Sequence, residues 1–305
     1  MSTRERPSVK ERAKSALLGS ALGRAALVVP RAVMAFREAR LGSQAGAILR
    51  WSLNSRERVN FTYQTTRHSD LLLCAVVAEA AGVDASRVVA WLDELYADTE
   101  LIAFIDTVAR AKKSRHRIDP GFKPGRRLAF YLLVRALKPR HVVEAGVDRG
   151  LGALVISRAL ALNAAEGHPG AYTGIEYSAT KPIPLWEDYP ERIGRIVRGD
   201  SIEFLDAGTE PIDLFVHDTT SDDTHVETQL HALTPRLSQR GVIASTWTTD
   251  RVVEHALAHN LSLLTHQEEP VGHWFKGDRV AILYPRKSRT AVSPGTSIWP
   301  RLASR

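Results

Sequence analysis

The sequence predicts an α/β protein: a seven-stranded, mostly parallel sheet whose last strand is antiparallel, preceded by an all-helical N-terminal region. Three observations predict it. Short β-branched runs alternate with helical segments between residues 141 and 245, and strands alternating with helices imply βαβ crossovers and a buried parallel sheet. The last two runs are joined by a loop with no room for a crossover helix, so they are expected to pair antiparallel. Residues 69–113 carry helical periodicity instead.

The elements follow in order. An arm over about residues 9–48 reads as one or two helices rich in alanine and leucine, broken at Pro30, which cannot donate into a helix ladder. Residues 69–113 put Leu71, Cys74, Val77 and Ala78 on one face, then Val88, Trp91, Leu92 and Leu95, then Leu101, Ile105 and Val108. That makes a small helical unit with Cys74 as a buried hydrophobe without chemistry of its own. Pro120, Gly121, Pro124 and Gly125 then mark a linker. The expected division is 1–120 for the basic arm and helical unit, 121–287 for the catalytic domain and 288–305 for a loose tail. One more helix, about 126–137, ends before Pro139. The strand runs are 141–145, 171–177, 195–199, 212–217, 241–245, 262–266 and 279–284.

After the first strand comes Glu144-Ala145-Gly146-Val147-Asp148-Arg149-Gly150-Leu151-Gly152, entering a helix with Leu151, Val155, Ala159 and Leu162 on one face. Glycines let the backbone turn sharply and approach a ligand, and a helix N-terminus offers amide donors to an anionic group. The dinucleotide fingerprint G-x-G-x-x-G fails in both registers: Asp148 stands third from Gly146, and Val155 sixth from Gly150.

The spacing acidic-x-Gly-x-x-x-Gly, here Glu144, Gly146 and Gly150, resembles the class I S-adenosylmethionine-dependent methyltransferases, which have a Rossmann-like sheet. Three further landmarks stand in the same order: Glu176 ending the second strand, Gly199-Asp200-Ser201 after the third, and Asp218 after the fourth. The likeness covers about residues 126–285. It implies a cofactor site in which Glu144 and the loop Gly146, Gly150 and Gly152 serve the amino acid end of S-adenosylmethionine. Glu176 would take the ribose diol, because a carboxylate accepts both hydroxyl protons. Asp200 or Ser201 would lie by the adenine, although Asp200 also suits a helix N-cap.

The acceptor side centres on residues 217–225. Asp218 is the first candidate for a base or orienting carboxylate, with His217 and His225 behind it. Asp222 and Asp223 also suit a helix first turn, and Thr224 with Glu227 reads as a capping box. Glu268, Glu269, His273 and Trp274 are candidates to line the acceptor pocket, and Arg126, Arg127 and Tyr131 to cover the cofactor. Metal-dependent catechol-type and some sugar O-methyltransferases resemble this fold and carry a second acidic pair after the fifth strand. Here Ser245-Thr246-Trp247 stands there. A hard divalent ion needs several oxygen ligands, so no metal site is expected.

Composition narrows the class. The chain has 305 residues, 44% hydrophobic, with one cysteine and a net charge of +7. A single cysteine excludes a disulfide framework, and no apolar run is long enough to span a bilayer. Residues 1–60 hold 12 Arg or Lys against 4 Asp or Glu, while the remainder is near neutral. The basic charge therefore belongs to the arm, and a nucleic-acid substrate is not expected, since phosphate neutralisation dominates such binding. The arm suits an anionic surface or acidic partner as well as a solvated helix face. The expectation is a cytosolic S-adenosylmethionine-dependent methyltransferase that O-methylates a small molecule, a sugar or secondary-metabolite hydroxyl, with a possible homodimer contact through the helical unit. Two alternatives remain: a methyltransferase-like cofactor-binding protein without transfer activity, and a nicotinamide oxidoreductase.

Overall fold

The structure is a computed structural model, and it describes residues 41–55, 57, 61–111 and 118–286. Pro30, most of the basic arm and the 288–305 tail lie outside the described residues. Those described fall into two compact units, one of 41–55 with 272–274 and one holding the rest. The smaller unit is built on helix α1 (Leu41–Asn54). Its Trp51 meets Trp274 and His273 edge to face, with ring centroids 5.4 and 6.4 Å apart.

In the larger unit three helices come first: α2 (Arg67–Ala81), α3 (Ala85–Ala97) and α4 (Thr99–Arg110). Local chemistry sets each boundary. Thr66, Asp84 and Asp98 accept backbone N–H groups as N-caps, and Gly82 closes α2 in the left-handed conformation. The predicted apolar faces are buried except at Leu71, which is 41% exposed, because the face of α2 that meets the core runs through Leu73, Cys74 and Val77 instead. Cys74 is buried as expected, and burial pushes its thiol up to about 11. These helices share one continuous core with α5 (Arg127–Leu137) and α6 (Leu151–Ala165).

The sheet comprises β1 (His141–Ala145), β2 (Ala171–Glu176), β3 (Arg195–Arg198), β4 (Ile212–His217), β5 (Leu237–Ser245), β6 (Leu261–Gln267) and β7 (Arg279–Pro285). Between them run α7 (Pro184–Glu187), α8 (Ser201–Ala207), α9 (Asp223–Leu233) and α10 (Asp250–Ala258). Spatial order is β3-β2-β1-β4-β5-β7-β6. The first five strands pair in parallel, and β7 runs antiparallel to both β5 and β6. This is the expected sheet. Strand β5 starts four residues before the predicted run, across polar Ser238, Gln239 and Arg240, where its register with β4 shifts between Ile212 and Leu214. β1 and β4 at the centre are almost wholly buried, which fits the apolar Val142-Val143 and Leu214-Phe215-Val216 at their middles. Order reverses at β1 and β4, and a crevice opens beyond the C-terminal ends of strands at such a switch point.

Candidate active site

A cavity of about 1030 Å³ lies at the C-terminal ends of β1, β2, β4 and β5. Its floor is the glycine loop. Gly146 has φ 92°, and a Cβ there would stand 2.3 Å from the Asp218 carbonyl oxygen. Only glycine lets the β1 turn pass that close to the end of β4. Gly150 has φ 91°, and a Cβ would lie 2.8 Å from Ile183 and 3.0 Å from the Trp186 backbone nitrogen. Its glycine requirement thus comes partly from the covering segment around α7.

Glu176 and Asp148 line this cavity. The Glu176 carboxylate accepts the Asp148 N–H at 2.9 Å and the Ser178 N–H at 3.1 Å, so two backbone donors fix its orientation. Lys181 reaches the same group, 2.5 Å from Asp148 Oδ1 and 3.9 Å from Glu176. Gly199, Asp200 and Ser201 line the cavity further along. Asp200 is also the N-cap of α8, accepting from Ile202 N at 2.7 Å, so the capping reading holds alongside the lining one. Ser201 Oγ accepts from the Gln229 amide at 2.6 Å.

Glu144 is placed differently. It is 1% exposed and does not line the cavity; it sits behind the loop, where a Cβ on Gly152 would run into its carboxyl. Burial pushes its pKa up to about 8, against the opposing hydrogen bond from the Tyr172 hydroxyl. Glu144 and Gly152 therefore pack against each other.

On the other side of β1, Asp218 lines the cavity. It accepts from Arg126 Nε at 2.9 Å and from Thr246 Oγ1 at 2.9 Å, and Arg127 stands 4.0 Å away. Arg126 also donates to Asp278 at 2.7 Å. Burial alone would lower the Arg126 pKa, but the Asp218 and Asp278 carboxylates outweigh it and hold the guanidinium charged. The network continues through Tyr63, whose hydroxyl donates to Glu268 at 2.5 Å and lies 3.0 Å from Asp278. Glu268 is buried, and desolvation pushes its pKa up to about 7. The family resemblance singles out Asp218, but Tyr63 and Asp278 carry no local signal, and Arg126 reads in the sequence only as a cover for the cofactor.

The other candidates separate. His225, at the start of α9, lines the cavity. The α9 cap is Asp222, which accepts from His225 N at 2.9 Å, rather than Thr224 as the capping-box spacing predicts. His217 is 1% exposed and does not line the cavity; its ring lies 2.5 Å from Gln229 Oε1 and 3.2 Å from the Thr220 carbonyl. Burial lowers its pKa and favours the neutral ring. Tyr131 donates to Glu94 at 2.6 Å, and Glu269 accepts from Thr66. From the predicted acceptor loop, Phe275, Lys276 and Asp278 line the cavity, whereas His273 and Trp274 pair with Trp51 in the smaller unit.

A divalent ion does not fit at Asp218. Both of its oxygens are engaged by Arg126, and its neighbour on β5 is a threonine hydroxyl rather than a carboxylate. Among the described residues no group of three or more His, Cys, Asp or Glu is placed to hold a metal, and no helix is long and apolar enough to cross a membrane.

Comparison with known proteins locates a match on the same segment. The family described as "Methyltransferase domain" matches residues 143–245. No curated protein matches. Similar solved structures include the O-methyltransferase TomG from Streptomyces achromogenes, in complex with SAM, at 16% identity, TM-score 0.44, covering 62% of this chain and 91% of that one. An O-methyltransferase from Bacillus cereus in complex with SAH is 16% identical at TM-score 0.43, covering 65% and 99%. A methyltransferase from Geobacter sulfurreducens is 20% identical at TM-score 0.43, covering 67% and 99%. At these scores the structural likeness carries no argument of its own. The family match spans the glycine loop, Glu176, Asp200 and Asp218, so residues 143–245 are similar to a methyltransferase domain.

Proposed function

We propose that the chain transfers a methyl group from S-adenosylmethionine to an oxygen of a small molecule. The observation that carries the cofactor reading is Glu176: a carboxylate at the end of β2, facing the cavity and oriented by two backbone N–H groups just beyond the glycine loop. That arrangement suits a ribose diol, since both carboxylate oxygens have acceptor capacity beyond those two bonds. Gly146 and Asp148 line the cavity at the glycine loop, and Asp200 and Ser201 stand where the adenine end would reach. The cavity volume falls at the upper end for small-molecule sites, roughly 300–1,000 Å³, which leaves room for an acceptor beside the cofactor.

Bound S-adenosylmethionine supplies a methyl on a positively charged sulfur, and the acceptor oxygen takes that methyl as sulfur takes the bond's electrons. The chain's part is to position the acceptor and accept its proton. Asp218, engaged by Arg126 and Thr246, acts as an orienting carboxylate rather than a base. His225 is the base candidate facing the cavity, and His217 positions α9 through Gln229. The near-neutral charge of the chain beyond residue 60 favours a small acceptor over a nucleic acid. The basic arm is read as meeting an anionic surface.

Isothermal titration with S-adenosylmethionine, S-adenosylhomocysteine and NAD, with and without magnesium, tests the reading. Micromolar binding of the first two, none of NAD and no magnesium dependence are expected. Binding of NAD alone returns the oxidoreductase alternative. Transfer of labelled methyl to a panel of hydroxylated acceptors then separates an enzyme from a binding protein.

A further inference from the structure

The cavity at the strand ends divides along the sheet. Glu176, Asp200 and the glycine loop, beyond β1 to β3, form the part read above as the cofactor site. The part beyond β5 and β7 is lined by Trp247, Phe61 and residues 275–279. That last segment is pinned in place. Gly277 turns it at φ 87°, and a Cβ there would stand 2.4 Å from the Glu268 carbonyl oxygen. The Gln267 side-chain amide donates to the Gly277 and Asp278 carbonyls, at 3.1 Å each. Phe275 meets Phe61 and Tyr63 with ring centroids 5.3 and 5.7 Å apart. The groups this segment presents to the cavity are therefore preorganised.

Charge in the cavity is not balanced. Asp218 and Asp278 are paired with Arg126, and Asp148 with Lys181, while Glu176 and Asp200 accept from backbone N–H groups. Lys276 and Arg279 are left over. Both line the cavity on the aromatic side, and among the described residues neither pairs with a carboxylate. The sulfonium of the cofactor read above adds a further positive charge. A neutral acceptor leaves these cations facing one another, whereas an anionic one compensates them. A flat ring bearing a carboxylate uses the whole wall: aromatic side chains pack on its faces, and the cations accept its charge.

We infer that the acceptor is an aromatic acid, its hydroxylated ring seated among Phe61, Phe275 and Trp247 and its carboxylate held at Lys276 and Arg279. The inference rests on the methyl-transfer reading proposed above and narrows its acceptor from small molecules in general to this class. Trp247, 37% exposed at the end of β5, closes the ring seat from the side opposite the pinned segment's charges. Its backbone is fixed by Ser245, whose hydroxyl donates to the Trp247 carbonyl at 2.7 Å.

The test uses the full-length protein saturated with S-adenosylhomocysteine. Three probes are titrated calorimetrically: protocatechuate, which is a dihydroxybenzoate, its neutral amide, and the non-aromatic hydroxy acid quinate. The wild type should prefer the aromatic acid over its amide by roughly 3–10-fold at low salt, the range for one or two exposed charge pairs, and less as salt rises. The double variant Lys276→Gln, Arg279→Gln should bring that preference below about twofold. Its affinities for the amide and for S-adenosylhomocysteine should stay as they were, which also shows that it is folded. Trp247→Ala should weaken acid and amide together and leave their ratio unchanged. Equal binding of acid and amide to the wild type, an unchanged preference in the double variant, or binding of neither would overturn the inference. So would quinate bound as tightly as the aromatic acid, or ring affinity untouched by Trp247→Ala. Failure of the wild type to bind S-adenosylhomocysteine would instead remove the cofactor reading, and this assignment with it.

Discussion

Glu176 and Asp218 stand on either side of β1, at the ends of β2 and β4, and they are buried alike, with side chains 8% and 6% exposed. Their partners differ. Glu176 is held by two backbone N–H groups, with its nearest cation 3.9 Å away. Asp218 is clamped by Arg126 and Thr246. Two carboxylates of equal burial thus have opposite capacities: one is oriented with room for further donors, and the other is already neutralised. Position on the sheet selects a candidate site residue, and the neighbours contributed by distant segments decide what it can do.

The largest test removes the clamp. Arg126→Met leaves Asp218 and Asp278 buried without their shared cation, and breaking such a pair costs about 3–5 kcal/mol. A drop in Tm of roughly 10 °C is expected by thermal denaturation. An unchanged Tm would mean that Asp218 is not clamped and the contrast fails. Glu176→Ala should act on binding instead, weakening S-adenosylhomocysteine by about 10–100-fold in calorimetry. If the loss falls below threefold, Glu176 is no more a ligand than Asp218.

A third carboxyl, Glu144, sharpens the comparison because it is buried without a cation clamped to it. Its pKa is pushed from 4.5 up to about 8, so the folded state holds its proton more tightly than the unfolded chain does. The stability this proton contributes is complete below pH 4.5 and lost as pH rises toward 8. Glu144→Gln removes that dependence, so urea midpoints should favour the variant increasingly between pH 5 and 8. Parallel profiles would place Glu144 among the ordinary carboxylates. The smallest effect is expected at Asp200. Asp200→Ala deletes the α8 cap for about 1 kcal/mol of stability, read as a shift in urea midpoint. A larger loss of cofactor affinity than of stability would move Asp200 to the same side of the comparison as Glu176.

The same division separates what was legible in the sequence. All seven strands, the helices around them and the antiparallel last strand follow from alternation and loop length, which are local signals. Gly146, Glu176 and Asp218 follow from the resemblance to the methyltransferase pattern, read at the ends of successive strands. The β5 start did not, because its first residues are polar and pair across an irregular register. Nor did the clamp: Arg126 meets Asp218 and Asp278 only after the chain folds, and no periodicity links such distant positions. Glu144 shows a further limit, since the acidic residue in a motif reads identically whether it faces the cavity or packs behind it.

The position of β1 also sets an order of assembly. It is central to the sheet, yet its two neighbours become available at very different times, β2 soon after it and β4 only once β3 has passed. The β1-β2-β3 portion can form as a local cooperative unit, while the β1-β4 pairing closes a much longer loop and is slower for that reason. The Gly146 turn, which packs on the Asp218 carbonyl, cannot be completed before that closure. Ligand that requires both Glu176 and the finished glycine loop is expected to stabilise only the fully docked sheet.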